Sequence, residues 1–171
     1  MDNVERRLQH EMTDEKFLAA FEACTFPLDN FHHREHIKVA YLYLLRYPLD
    51  EAAAKVRAGL QAFAAANKAP ENDLERGYHE TTTQAWVRLV HVTLCEYGPG
   101  ESADSFYEQQ PQLSQKKNLR LFYTRARLMT WQAKSEFVEP DLAPLPVSRN
   151  PAKFMPKALP QPIVLIPAPP T

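Results

Sequence analysis

Three of the six histidines fall within five residues, in Phe31-His32-His33-Arg34-Glu35-His36-Ile37. On a helix, His33 and His36 stand at i,i+3 and His32 and His36 at i,i+4, so either pair presents two imidazoles on one face, about 5–6 Å apart at Cβ. That spacing suits one shared metal ion or one shared proton. The apolar stripe that continues through Val39, Ala40 and Tyr43 directs at least one of these rings toward the interior. A second group lies in Gly77-Tyr78-His79-Glu80-Thr81, where the stripe of Trp86 and Val90 traced backward reaches His79. His33, His36 and His79 then form a three-nitrogen set with an open position, which suits Zn, or Fe or Mn if a carboxylate joins. Glu80 is the nearest carboxylate, as ligand or base, and Glu35 the next.

Two other readings use the same residues. The histidines can be core groups hydrogen-bonded to a backbone carbonyl or a neighbouring side chain, or a metal-free acid–base site in which a histidine poised near neutral pH moves a proton. The His-Glu-x-x-His spacing of zinc proteases is missing, which argues against a peptidase. Between Glu108 and Glu136 the chain carries Lys116, Lys117, Arg120, Arg125, Arg127 and Lys134 without an acid. A solvated helix face explains this run better than nucleic acid does. Arg125 or Arg127 could also clamp a substrate carboxylate or phosphate, as guanidinium forks do. Tyr78 and Tyr123 complete the expected surroundings of a small polar substrate.

The stretches Phe31-His32-His33-Arg34-Glu35-His36-Ile37, Tyr78-His79-Glu80-Thr81 and Phe137-Val138-Glu139-Pro140-Asp141-Leu142 resemble a family of small, mostly bacterial helical proteins with no assigned function. The family pattern is Phe-x-His-x-x-His on one helix and Tyr-His-x-Thr on another, over about residues 15–146. The resemblance implies that His33, His36 and His79 are the matching positions and His32 an extra; it implies no reaction. Helix-spanning sites in small bundles are also similar to those of the DinB-like metal-binding fold. There a lone histidine and a His-x-x-x-His pair converge, whereas here the pair precedes the lone residue.

The elements that must position these residues are helical. Ten of the 15 prolines lie between Pro140 and Pro170, so residues 1–139 are expected to form the folded body and 140–171 an extended tail. Within the body Pro27, Pro48, Pro70, Pro99 and Pro111 are spaced to end or restart helices, because proline lacks the amide donor. The pattern predicts an all-α single-domain bundle of five or six helices. The first starts near Thr13 and buries Phe17 and Phe21. The second, His33 to Tyr47, is apolar nearly all round and therefore central. A third between Pro48 and Lys68 buries Val56, Leu60 and Phe63. A fourth starts between Asp73 and Thr81, by preference near Gly77 although Thr81-Thr82-Thr83-Gln84 resembles a capping box, and runs to Tyr97, stopped by Gly98-Pro99-Gly100. Ser102–Gln109 reads as a short helix and Leu119–Thr130 as a longer one. Ile163-Val164-Leu165-Ile166 is the one β-type run, placed to dock on the body, on a partner protein or on a second copy of the chain.

Composition narrows the function classes. Charged residues are 24% of the chain and the net charge is -1, too balanced for a protein that grips nucleic acid or membrane with its whole surface. Cys24 and Cys95 are far apart and neither pairs in a Cys-x-x-Cys spacing, so no zinc finger or disulfide framework is expected. Four glycines and no Gly-x-Ser-x-Gly turn disfavour serine-elbow hydrolases and P-loop enzymes. The segment Met1–Met12 has five charged side chains and no apolar run, so no secretory signal is expected. The chain thus reads as a cytoplasmic protein without membrane contact. It is expected to be either a small metal-dependent enzyme on a small polar or anionic metabolite, or a non-catalytic helical protein with structural histidines and a partner-binding tail.

Overall fold

The structure is a computed structural model that describes residues 12–151 together with 154 and 156. The run Ile163-Val164-Leu165-Ile166 and most of Met1–Met12 lie outside the described residues. No strand occurs among the described residues, and the fold is all-α.

Helix α1 (Asp14–Glu22) starts where Thr13 Oγ1 accepts a hydrogen bond from the Lys16 amide at 3.3 Å, and it buries Phe17, Leu18 and Phe21. It ends at Cys24, whose φ of 56° is the left-handed turn that commonly closes a helix. Helix α2 (His33–Leu44) starts at His32, whose amide donates to Glu35 Oε2 at 2.8 Å. Every residue from Ile37 to Leu44 is buried, as expected for a helix apolar on all sides. Lys38 is the exception in chemistry: its ammonium donates to Asp104 Oδ2 at 2.9 Å and lies over the Phe17 ring. Burying a charge is tolerated only with such a partner.

Helix α3 (Leu49–Ala66) carries Asp50 and Glu51 in its first turn, where the helix dipole favours them, and buries Ala52, Val56, Leu60 and Phe63. Helix α4 (Glu80–Tyr97) has His79 as its N-cap, and its first residue lies three positions after Gly77. Gly77 adopts φ +77° and His79 an extended φ of -135°, so the chain cannot be helical between them. Gly98, at φ +79°, follows the last turn. Helices α2, α3 and α4 pack on one another and form the core layer, with α1 across α2 and α3.

The second half of the chain is made of short pieces: α5 (Ala103–Gln109), α6 (Pro111–Ser114), a 3-10 turn over Lys116–Leu121, α7 (Arg125–Leu128) and α8 (Trp131–Ser135). The expected single helix over Leu119–Thr130 is thus a 3-10 turn and a separate helical turn. The break is made by Tyr123 and Thr124. Tyr123 turns inward and donates its hydroxyl to the Val138 carbonyl at 2.9 Å, while Thr124 becomes the cap of α7. Helix α5 packs on α2 and α8 on α4.

The start of the proline-rich segment is part of the body. Thr81 Oγ1 donates to the Glu136 carbonyl at 2.8 Å and accepts from the Val138 amide at 3.1 Å. Asp141 then accepts from the amide and hydroxyl of Thr124 at 2.8 and 2.6 Å, and the Leu142 amide donates to the Phe122 carbonyl. These bonds run across the expected boundary at residue 140.

A histidine-lined cavity between two helix starts

The first turns of α2 and α4 open into one cavity of about 480 Å³. His33 and His36 reach it from α2, and His79, Thr82 and Thr83 from α4. Buried Ala40, Val56, Leu60, Phe63 and Val87 form its apolar floor, and exposed Leu28, His32, Glu75, Gly77 and Lys116 stand at its mouth. All three histidines singled out from the sequence therefore meet one space, although 43 residues separate His36 from His79.

Each imidazole is fixed by a backbone carbonyl. A carbonyl can only accept, so each contact identifies the nitrogen that carries the proton. His33 donates from Nε2 to Leu113 O at 2.7 Å, and His36 from Nδ1 to His32 O at 2.8 Å. His79 donates from Nε2 to Leu128 O at 3.0 Å while its Nδ1 accepts from the Thr82 amide at 3.3 Å, making it the side-chain cap of α4. The lone pairs left over belong to Nδ1 of His33 and Nε2 of His36. Two of the three carbonyls come from the short helical pieces, Leu113 in α6 and Leu128 in α7, so the irregular half of the chain orients the rings.

Aromatic edges complete the holding. The His33 ring lies 4.6 Å from that of Trp86 and the His36 ring 4.7 Å from that of Phe31, which in turn packs on Phe63 at 4.5 Å. All three histidines are held neutral at pH 7. Burial lowers the pKa of His33, more than its bond to Leu113 raises it, and Lys116 lowers it further. Burial likewise takes His36 down from 6.5 to about 4, aided by His33 and Lys116, and lowers His79. His36 is nevertheless exposed in part, and it lines the cavity. A charge there loses bulk hydration even though small molecules can reach it.

The remaining sequence candidates are placed as follows. Glu80 is buried and does not line the cavity; its carboxylate takes a forked bond from Arg57, with contacts of 3.0 and 2.5 Å, and one from the Tyr78 hydroxyl at 2.5 Å. Burial alone would push this carboxyl up, but the Arg57 and Tyr78 hydrogen bonds outweigh it and hold Glu80 below the usual carboxylate range. With its lone pairs committed and its proton affinity reduced, Glu80 is a fixture of the α3–α4 contact rather than a base or metal ligand. Tyr78 does line the cavity, but burial and the bond to Glu80 push its hydroxyl pKa up, so it stays protonated. Tyr123 lies outside the cavity, fully buried, with burial pushing its hydroxyl up to about 12. Arg125 pairs with Glu75 at the mouth at 2.5 Å, and Arg127 donates to the Glu139 carbonyl at 3.0 Å on the surface. Neither guanidinium lies in the cavity wall.

Among the described residues no group of three or more His, Cys, Asp or Glu side chains is arranged to hold a metal ion, and both nitrogens of His79 already have partners. Other wall residues carried weaker signals in the sequence. Lys116 is one of six cations in an acid-free run, yet it alone of these lines the cavity. Trp86 reads as a core stripe residue; it is 5% exposed, and its indole N–H is buried without a hydrogen-bond partner among the described residues. Arg57, which fixes Glu80, has no sequence signal. Comparison with known protein families, with curated proteins and with solved structures returns no match to this chain, so its chemistry must be read from the site itself.

Proposed function

We propose that this protein binds and transforms a small molecule in the cavity, with His33 and His36 as the groups that meet it. The observation that carries this reading is that both rings line the cavity with one nitrogen locked on a carbonyl, leaving a lone pair on the other. A neutral imidazole held in one tautomer and one orientation is ready to accept a proton. Each ring has a carbonyl that would stabilise the imidazolium, Leu113 O for His33 and His32 O for His36, so burial separates them: it lowers His36 to about 4 and leaves His33 as the better base. His36, whose pKa is near 4, stays neutral and serves to orient a donor group of the substrate. The cavity volume fits a small metabolite rather than a polymer.

A divalent metal at the same two nitrogens is the second reading, and one observation favours it. Metal-ligating histidines commonly donate their other N–H to a backbone carbonyl, which fixes tautomer and ring direction. His33 and His36 both do so. Zn, Fe or Mn would then need its remaining ligands from substrate or solvent, because His79 is engaged as a helix cap.

No helix of the described residues is long and apolar enough to cross a membrane, and we take the substrate to be a cytoplasmic metabolite. The test is a comparison of untagged wild-type protein with a His33→Ala/His36→Ala double variant. Both are incubated with a pool of small metabolites and followed by proton NMR, and both are analysed for bound metal. Consumption of a pool member by the wild type alone supports the proposal, and stoichiometric metal lost in the variant supports the second reading. No consumption and no metal in either, with an unfolding change as the sole effect of the substitutions, would make the histidines structural and this a non-catalytic helical protein.

A further inference from the structure

We propose that the ligand of this cavity is a small monocarboxylate with an apolar body. The inference rests on the reading of the cavity as a ligand site and adds the chemical class. Its basis is the charge of the wall. Among the described residues Glu75 is the one carboxylate that lines the cavity, and Arg125 pairs with it. Lys116 lines the cavity from the opposite half of the chain, lies close enough to act on His33 and His36, and has no ion pair among the described residues. With the imidazoles neutral, the wall carries an uncompensated positive charge.

The helices add to it. Helix α2 has 12 residues and α4 has 18, and both present their first turns to the cavity, where each helix dipole places about half a positive charge. Glu35 and Glu80 stand in these first turns and offset part of the dipoles, so it is the unpaired ammonium that favours an anion over a cation. The donor set is small: one ammonium and the Thr82 and Thr83 hydroxyls. That matches the two oxygens of a carboxylate better than a phosphate, which needs more donors and a wrapping loop of amides. The apolar floor of Val56, Leu60 and Phe63 requires a hydrocarbon or aromatic body behind the charged head.

The chain has two tryptophans, so a Trp131→Phe background leaves Trp86, in the cavity wall, as the sole indole reporter. In that background 3-phenylpropanoate, 4-methylpentanoate and octanoate are titrated against their neutral amides and against inorganic phosphate. At least one acid should bind about tenfold more tightly than its amide, a difference of ~1.4 kcal/mol. Lys116→Met should weaken the acid about fivefold or more and leave the amide unchanged. Because Lys116 is exposed and unpaired, the thermal midpoint of that variant should match the parent, which separates lost binding from lost folding.

Acid and amide binding equally, or an acid indifferent to Lys116→Met, overturns the carboxylate inference. If the amide is then lost in Ala64→Phe, which fills the cavity, the ligand-site reading survives alone. Phosphate binding as tightly as the acids also overturns the inference, and so does the failure of every acid to bind.

Discussion

Lowering the pH from 7 to 5 should destabilise this protein, and His36 should set most of the effect. In the folded chain burial holds its pKa near 4, against 6.5 in the unfolded chain. The unfolded state therefore takes up the proton first. Stability is level above about pH 6.5, falls as pH drops toward 4, and levels again once both states are protonated. The full difference corresponds to roughly 3 kcal/mol, of which about 2 kcal/mol lies between pH 7 and pH 5. His36 is exposed in part, so water screens it and the loss should be nearer roughly 1 kcal/mol. His33 and His79 are shifted in the same direction and add to the slope. Glu80 and Asp104, held below the usual carboxylate range, act only at lower pH and leave this window to the histidines. Urea unfolding at pH 7, 6 and 5, followed by tryptophan fluorescence, measures the slope directly. A His36→Gln variant keeps a donor for His32 O but cannot titrate, so its slope should be visibly shallower. Equal slopes in the two proteins, or none in the wild type, would show that His36 is hydrated in the folded state and refute the burial argument.

Four substitutions test the supports of the site. Arg57→Met strands the buried Glu80 carboxylate with only Tyr78 and should cost about 2–3 kcal/mol by urea unfolding, below the figure for fully buried pairs because Arg57 is partly exposed. Thr81→Val keeps the volume but removes an acceptor from Val138 N–H and a donor to Glu136 O, both at a fully buried side chain; a loss of about 2–3 kcal/mol is expected by the same measurement. Gly59→Ala should not deliver the roughly 1 kcal/mol that alanine normally gains in a helix. Its Cβ would stand 2.7 Å from Phe21 Cε1, in a ring held between Phe31 and Phe63, and overpacking of about 1–3 kcal/mol should win. Arg125→Ala should change stability by less than about 0.5 kcal/mol, because both partners of its ion pair are exposed. A larger loss in thermal or urea unfolding would mean that the Arg125–Glu75 contact holds the cavity mouth.

Periodicity alone determined that this chain is helical and which helix is central. Ile37 to Leu44 leaves no polar face except Lys38, and a helix without a solvent side can only sit inside the body. The same periodicity directed His79 and at least one ring of the His33/His36 group inward, and all three line one cavity. Local pattern could not determine their chemistry, because the groups that fix each ring come from distant backbone. The carbonyls of Leu113 and Leu128 carry no side-chain signature, yet they decide which nitrogen of His33 and His79 keeps a lone pair. Nor could it foresee that Arg57, on α3, would claim Glu80, or that Tyr123 would turn inward to Val138 and break the expected helix. Hydrophobic burial is nearly a property of each residue type and its spacing, so it can be read along a line. Hydrogen bonds and charge pairs depend on what packing brings within about 3 Å, and only the folded chain decides that.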